Sequence, residues 1–193
     1  LPTESEISKV LKISRPTIRQ ALNELVTEGY IYRQKGKGTF VSKPKIDEAF
    51  FQKLESFNEE MIKKGLKPST KVMSFKVIKG IASVNNKLRV SEEEKLIYLA
   101  RLRFANDEPI VYVETYIPYS YCPLLIHEDL SVNSLYSLLE EKFGKKVVRA
   151  SRKIEAVNSN SMEAKLLNMK KGQAICLVKT LAYTDDELPI EYS

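Results

Sequence analysis

Two helix-start signals, Thr3-x-x-Glu6 and Ser14, stand so close together at the head of this chain that the first must open a short helix. Thr3 and Glu6 make a capping box, in which each side chain satisfies the other residue's backbone N–H. Ile7, Val10 and Leu11 behind it mark one helical face. Lys12-Ile13 turns the chain, and Ser14 caps a second helix. The apolar positions of that helix, Ile18, Ala21, Leu22, Leu25 and Val26, keep the helical period until Gly29, placed for a left-handed cap. Pro16 is tolerated because its missing N–H falls in the first turn, where there is no bond to lose. Two short helices joined by a three-residue turn form a helix-turn-helix. Tyr30–Arg33 and Thr39–Val41 then read as two short strands around Gln34-Lys35-Gly36-Lys37-Gly38. That loop is a wing whose glycines permit a tight turn and close backbone approach, and whose lysines supply charge for phosphates.

Charge points the same way. The 193 residues carry a formal +6. Residues 1–43 hold eight bases and four acids, a net +4, whereas the remaining 150 hold 23 bases and 21 acids. A basic head on a nearly neutral body implies a polyanion partner for the head alone; ordinary solvated lysines would give the same count. On the second helix Pro16, Gln20 and Asn23 lie opposite the apolar stripe, Arg19 lies on its flank, and Arg15 is in the first turn, the end that enters a major groove. Only two cysteines, Cys122 and Cys176, and one histidine, His127, are present. These imply neither a disulfide framework nor a zinc site, leave little room for histidine chemistry, and fit a reducing cytoplasm. No metal or cofactor is expected, and no apolar run approaches a membrane span. The chain opens inside a helix signal and ends on Glu191-Tyr192-Ser193, a strand in progress, so it is read as trimmed at both ends.

The run LPTESEISKVLKISRPTIRQALNELVTEGYIYRQKGKGTFV resembles the winged helix of the GntR family of bacterial regulators, including its S-R-x-T-x-R run and G-x-G-T-F-V wing. The resemblance implies DNA contacts from Arg15, Thr17, Arg19 and Gly36, to which the helix face adds Gln20 and the wing adds Lys35 and Lys37. One departure is Ser5, which stands where the family pattern places a DNA-reading arginine. The family's helix before Leu1 is also absent from this sequence.

After residue 43 a linker, residues 44–49, leads to a second domain, residues 50–193. Helical spacing at Phe50, Leu54, Phe57, Met61 and Ile62 ends at Gly65, and strand signals follow over Val72–Lys79. The run FFQKLESFNEEMIKKGLKPSTKVMSFKV resembles the start of the UTRA sensor domain of the family's HutC branch. That likeness implies an α+β fold similar to chorismate lyase, with an antiparallel sheet flanked by helices. An internal repeat agrees. Leu88-x-Val90, a strand over Leu96–Phe104, an acidic turn and a strand over Ile110–Ile117 are echoed by Leu167-x-Met169, a strand over Ala174–Tyr183, an acidic turn and a strand from Ile190. Two units are too few for a solenoid, so a pseudo-symmetric domain is expected.

Strand alternation puts Arg101 and Arg103 on one face of the Leu96–Phe104 strand with Ile97 and Leu99. If the turn pairs Phe104 with Pro109, Tyr112 and Glu114 join that face. Paired arginines suit a phosphate or carboxylate; an exposed face with an Arg–Glu ion pair would give the same pattern. Ser134 opens a helix over Leu138, Leu139 and Phe143, where it serves as a cap or as part of an anion site. The resemblance implies more: Arg101, Arg103, Ser134 and Tyr136 hold a phosphate, Phe57 and Asn58 line the pocket, and Glu114 and Glu191 bind sugar hydroxyls. The expected protein is a homodimeric repressor that binds double-stranded operator DNA and is released by a small anion, a sugar phosphate foremost. Two alternatives stand beside it. One is a chorismate-lyase-like enzyme using Glu114 or Glu191, and the other is an architectural DNA binder with an inert second domain.

Overall fold

The computed structural model describes residues 1–28, 30–41 and 56–193. The chain divides into two compact units, Leu1–Glu48 and Ala49–Ser193. The expected linker, the Gly29 cap, and Phe50 and Leu54 lie outside the described residues.

In the first unit α1 (Glu4–Leu11) and α2 (Arg15–Thr27) are followed by the hairpin β1 (Ile31–Gln34) and β2 (Gly38–Val41). The Thr3–Glu6 capping box is formed, and the turn at Lys12 is made with φ 56°, in the left-handed region. Ser14 caps α2 with its side chain on the Thr17 N–H. The core is small: Ile18, Leu22 and Ile31, with Ile7 and Val26 against them. Val10 and Leu11, expected on the packed face of α1, are exposed. Of that stripe, Ile7 packs against the core residues of α2.

The second unit is a six-stranded antiparallel sheet in the order β3-β4-β5-β8-β7-β6. Its strands are β3 (Pro68–Ile78), β4 (Leu96–Ala105), β5 (Glu108–Pro118), β6 (Val147–Asn158), β7 (Ala174–Thr184) and β8 (Pro189–Tyr192). The helices are α3 (Phe57–Lys63), α4 (Ala82–Leu88), α5 (Leu135–Phe143) and α6 (Ser161–Leu166). The repeat seen in sequence is therefore a β-α-β-β unit used twice: β3-α4-β4-β5 and β6-α6-β7-β8 meet at the β5–β8 seam.

Both units bend at the same place. The β4–β5 turn is a two-residue loop with Asn106 and Asp107 at φ 49° and 65°, the handedness that matches strand twist. Phe104 pairs with Pro109, as expected, but Arg103 pairs with Val111, so Ile110 is bulged. In the second hairpin Tyr183 pairs with Pro189 and Ala182 with Glu191, so Ile190 is bulged. The Pro-Ile pair repeats at both bulges.

One sheet face carries Ile97, Leu99, Ile117 and Ala182 into a core closed by Leu125, Leu130 and the α5 residues Leu135, Leu138 and Leu139. The other packs Leu96, Tyr116, Leu181 and Tyr192 against Val84 and Leu88 of α4. Asn85 of α4 is fully buried. Its amide donates to the carbonyls of Ser91, Glu92 and Glu94 at 2.7, 3.2 and 3.0 Å, and its oxygen accepts from the Ile81 N–H at 3.2 Å. The side chain thus stands in for a turn's own backbone bonds. Asn85→Ala would remove all four bonds and leave a cavity at a fully buried position, so it should destabilise the sheet domain by about 1–3 kcal/mol. The midpoint of urea unfolding measures this; an unchanged midpoint would show that the loop is held by other contacts.

Candidate DNA-reading face and effector site

The α2 residues Arg15, Thr17, Arg19 and Gln20 are all exposed, as are Lys35, Gly36 and Lys37 on the wing. Gly36 and Gly38 hold φ 75° and 115°, conformations that let the tip reverse within the Gln34–Gly38 pair. Each α2 side chain has a partner. Arg15 donates to the Ser5 hydroxyl at 2.9 Å, and the Thr17 hydroxyl meets that of Ser14 at 2.8 Å. Gln20 donates to Glu24 at 3.2 Å. Arg19 grips Glu4 through Nε and a terminal nitrogen, at 3.0 and 2.9 Å, and Arg33 lies 3.8 Å from the same carboxylate. The Arg19 bond comes first among the causes that lower the pKa of Glu4, and the same bond raises that of Arg19. Glu4 thereby ties α2 to the wing strand. The Ser5 departure also gains a structural meaning, because a hydroxyl there accepts a bond from Arg15.

In the sheet unit Arg101 is 4% exposed and Arg103 is half-buried. The Arg103 guanidinium carbon lies 5.0 Å from the centre of the Phe57 ring. The Nε atoms of both arginines and the hydroxyl of Thr115 are buried with no hydrogen-bond partner among the described residues. Register puts all three on the face that bears Ile97, Leu99 and Ile117. From β8, Glu191 is 4% exposed and accepts a 2.5 Å bond from the Tyr136 hydroxyl. Desolvation lowers the pKa of Arg101, with Glu191 and Tyr136 opposing it. For Arg103, desolvation and then the neighbouring Arg101 charge push the value down to about 9, as expected of two cations held together out of water. The Tyr136 hydroxyl is raised by burial and by the Glu191 charge and bond, against the pull of Arg152 and Arg101.

Arg101, Arg103, Phe57, Tyr136 and Glu191 are thus brought together. Ser134 caps α5, the helix that presents Tyr136, and accepts from the Ser137 N–H at 3.5 Å. Asn58 follows Phe57 in the first turn of α3. Glu114 is not among them. The bulge at Ile110 shifts β5 by one residue, so Glu114 pairs with Ala100 and Tyr112 with Leu102. Both lie on the opposite face of the sheet, where the Tyr98 and Tyr112 hydroxyls donate to the Glu114 carboxylate. The expectation that Glu114 and Tyr112 share the arginines' face is therefore corrected: it assumed an unbroken ladder, and a one-residue slip exchanges faces. The matching bulge at Ile190 has the opposite effect and brings Glu191 onto the site face. Two residues escaped the sequence argument. Thr115 lies on the site face only because of the bulge. Arg152 on β6 pairs with Thr180 and acts electrostatically on Tyr136, a placement set by the sheet order alone.

A winged helix joined to an α+β domain with a buried cationic site defines a DNA-binding regulator with a sensor domain. Residues 1–41 match the bacterial regulatory proteins of the gntR family and residues 63–193 match the UTRA domain; the chain belongs to the GntR family, HutC branch, of transcription regulators. It is 33% identical over 193 residues to the HTH-type transcriptional repressor NagR of Bacillus subtilis (strain 168), with 100% of this chain aligned to 79% of that protein. It is 27% identical over 193 residues to a probable fructoselysine utilization operon transcriptional repressor of Escherichia coli (strain K12), again covering 100% and 79%. The crystal structure of PhnF from Mycobacterium smegmatis shares the fold, with a TM-score of 0.79 at 24% identity over 100% of this chain and 84% of that one. The chain is a regulator rather than a lyase: it binds operator DNA through the winged helix and a small-molecule effector through the UTRA domain. No helix among the described residues is long and apolar enough to cross a membrane.

Two predictions separate base reading from charge. If Arg19 reads a base edge, Arg19→Ala should weaken specific operator binding roughly ten- to hundredfold; unchanged affinity in a salt-controlled gel shift, with folding intact, would exclude that docking. Lys35→Ala and Lys37→Ala should each weaken all DNA sequences alike and lower the salt slope by about one unit. A loss confined to one sequence would mean that the wing reads bases.

Proposed function

We propose that this protein is a repressor released from its operator by a phosphorylated sugar bound at the Arg101–Arg103 face. The observation that carries this is the pair of buried arginine Nε donors with no partner among the described residues, on the same face as the Tyr136–Glu191 pair. Two like charges out of water are costly unless an anion neutralises them, and two planar forks suit a tetrahedral dianion. The N-terminus of α5 at Ser134 adds N–H donors and a favourable dipole. Glu191, Tyr136 and the Thr115 hydroxyl suit sugar hydroxyls, and Phe57 with Asn58 forms a wall. Relatives named as repressors, one of a fructoselysine utilization operon, support the repressor role and a sugar-related effector.

The repressor would act in the cytoplasm as a homodimer, whose two-fold axis matches a palindromic operator. Effector binding changes the spacing of the two winged helices, and a coupling of about 1–3 kcal/mol gives a 5–150-fold loss of operator affinity. Calorimetry with glucosamine-6-phosphate, N-acetylglucosamine-6-phosphate, trehalose-6-phosphate and their dephosphorylated forms tests the clamp. At least one phosphate should bind far more tightly than its parent sugar. Arg103→Ala should bind operator normally, lose roughly a hundredfold in effector affinity and no longer release DNA. Equal binding of the unphosphorylated sugars, or unchanged induction in Arg103→Ala, would sink the idea.

A further inference from the structure

The first turn of α1 draws in the cations of its neighbours. Arg19 is bonded to Glu4, Arg33 lies against the same carboxylate, and Arg15 acts on Glu4 electrostatically. Like charges gathered this closely repel, so each guanidinium needs a contact that fixes its direction. Glu4 serves Arg19 and Arg33. Arg15 is held differently: its one bond among the described residues runs from a terminal nitrogen to the Ser5 hydroxyl, at 2.9 Å. Ser5 is half-buried and Arg15 is exposed, so the anchor sits on the protein side and the guanidinium on the solvent side. A guanidinium offers five N–H donors in a planar fork. The Ser5 bond takes one of them and leaves the others for DNA.

Ser5 serves no other purpose that the fold reveals. The cap of α1 is Thr3, and the partner in its box is Glu6. The Ser5 hydroxyl makes no second bond among the described residues. Serine is also a poorer helix former than alanine, so neither the helix nor the small core of this unit calls for it.

We infer that Ser5 is a specificity-determining residue of the operator complex: it is the positioning residue for Arg15 and sets the direction in which that guanidinium meets a base edge. This rests on Arg15, in the first turn of α2, reading a base in the major groove. A bidentate bond to the O6 and N7 of a guanine depends on the plane of the fork, and the Ser5 bond restrains that plane. The arginine that the family pattern places at position 5 has donors only. It could not hold Arg15 and would add another cation to the same turn. An arginine there reaches for DNA itself, whereas Ser5 acts through Arg15, so the two read different operators. The hydroxyl also holds without neutralising. Glu4 cancels part of the charge that it grips, while Arg15 keeps its full attraction for the phosphate-lined groove.

Selection of sites from a randomised double-stranded DNA library by the full chain, followed by salt-controlled gel shifts on the selected operator, tests this. Arg15→Ala should lose the preference at one base position of the operator. Ser5→Ala should relax the preference at that same position and weaken the selected operator by about three- to tenfold, with binding to random DNA unchanged. Its melting temperature should stay the same or rise slightly, because alanine is the better helix former, so a relaxed preference cannot be put down to unfolding. Ser5→Thr keeps the hydroxyl and should restore the preference. Ser5→Ala relaxed at a different position would mean that Ser5 touches DNA itself. Ser5→Ala with its preference unchanged would mean that Arg15 needs no anchor. Either result, or Ser5→Thr as relaxed as Ser5→Ala, would overturn the role of Ser5 while leaving Arg15 as a base reader. Full preference retained in Arg15→Ala would overturn the reading of Arg15 and the role of Ser5 with it.

Discussion

The seam between β5 and β8 is the constraint on which the sensor domain depends. Tyr116 pairs with Tyr192 across it, and this joins two β-α-β-β units into one sheet. Without it each unit would expose a hydrophobic face. With it, one face is closed by α5 and the other by α4. The seam also brings a carboxylate from the second unit, Glu191, beside a strand of the first that carries Arg101 and Arg103. A site assembled from both halves of a pseudo-symmetric domain is sensitive to small changes in how those halves meet, which suits a sensor.

Within that frame the arginines set the energetics. Burial works against both cations, and Arg101 works against Arg103. Glu191 offsets part of this, but its carboxylate is also engaged by Tyr136. The balance leaves the Nε donors of both arginines buried with no hydrogen-bond partner among the described residues. The DNA unit uses the opposite arrangement. Its cations lie in solvent, held by half-buried partners such as Glu4 and Ser5, where water and salt screen them and exchange for phosphate is easy.

Much of the fold was legible from residues alone. The Thr3–Glu6 box, Ser14 and the wing glycines act over three or four residues, so their signals do not depend on distant parts of the chain. The Asn106-Asp107 hairpin and the two-fold repeat were equally visible, because turn chemistry and strand period are local. The faces of β4 were right for Arg101 and Arg103, since alternation along one strand is set by its own backbone. The apolar stripe of α1 marked a face correctly but not its burial, because burial of Val10 and Leu11 depends on what lies opposite.

The sequence by itself determined the class of the protein: a winged helix with a basic face, a sensor domain built from a duplicated unit, and two arginines side by side on one strand. Only the tertiary structure decided which residues keep those arginines company. The bulge at Ile110 sends Glu114 to the opposite face of the sheet, the bulge at Ile190 turns Glu191 inward, and the sheet order brings Arg152 within electrostatic reach of Tyr136. A bulge moves a side chain to the opposite face at the cost of one ladder position, and strand order is fixed by contacts between segments far apart in sequence. Neither leaves a local pattern for a sequence to display.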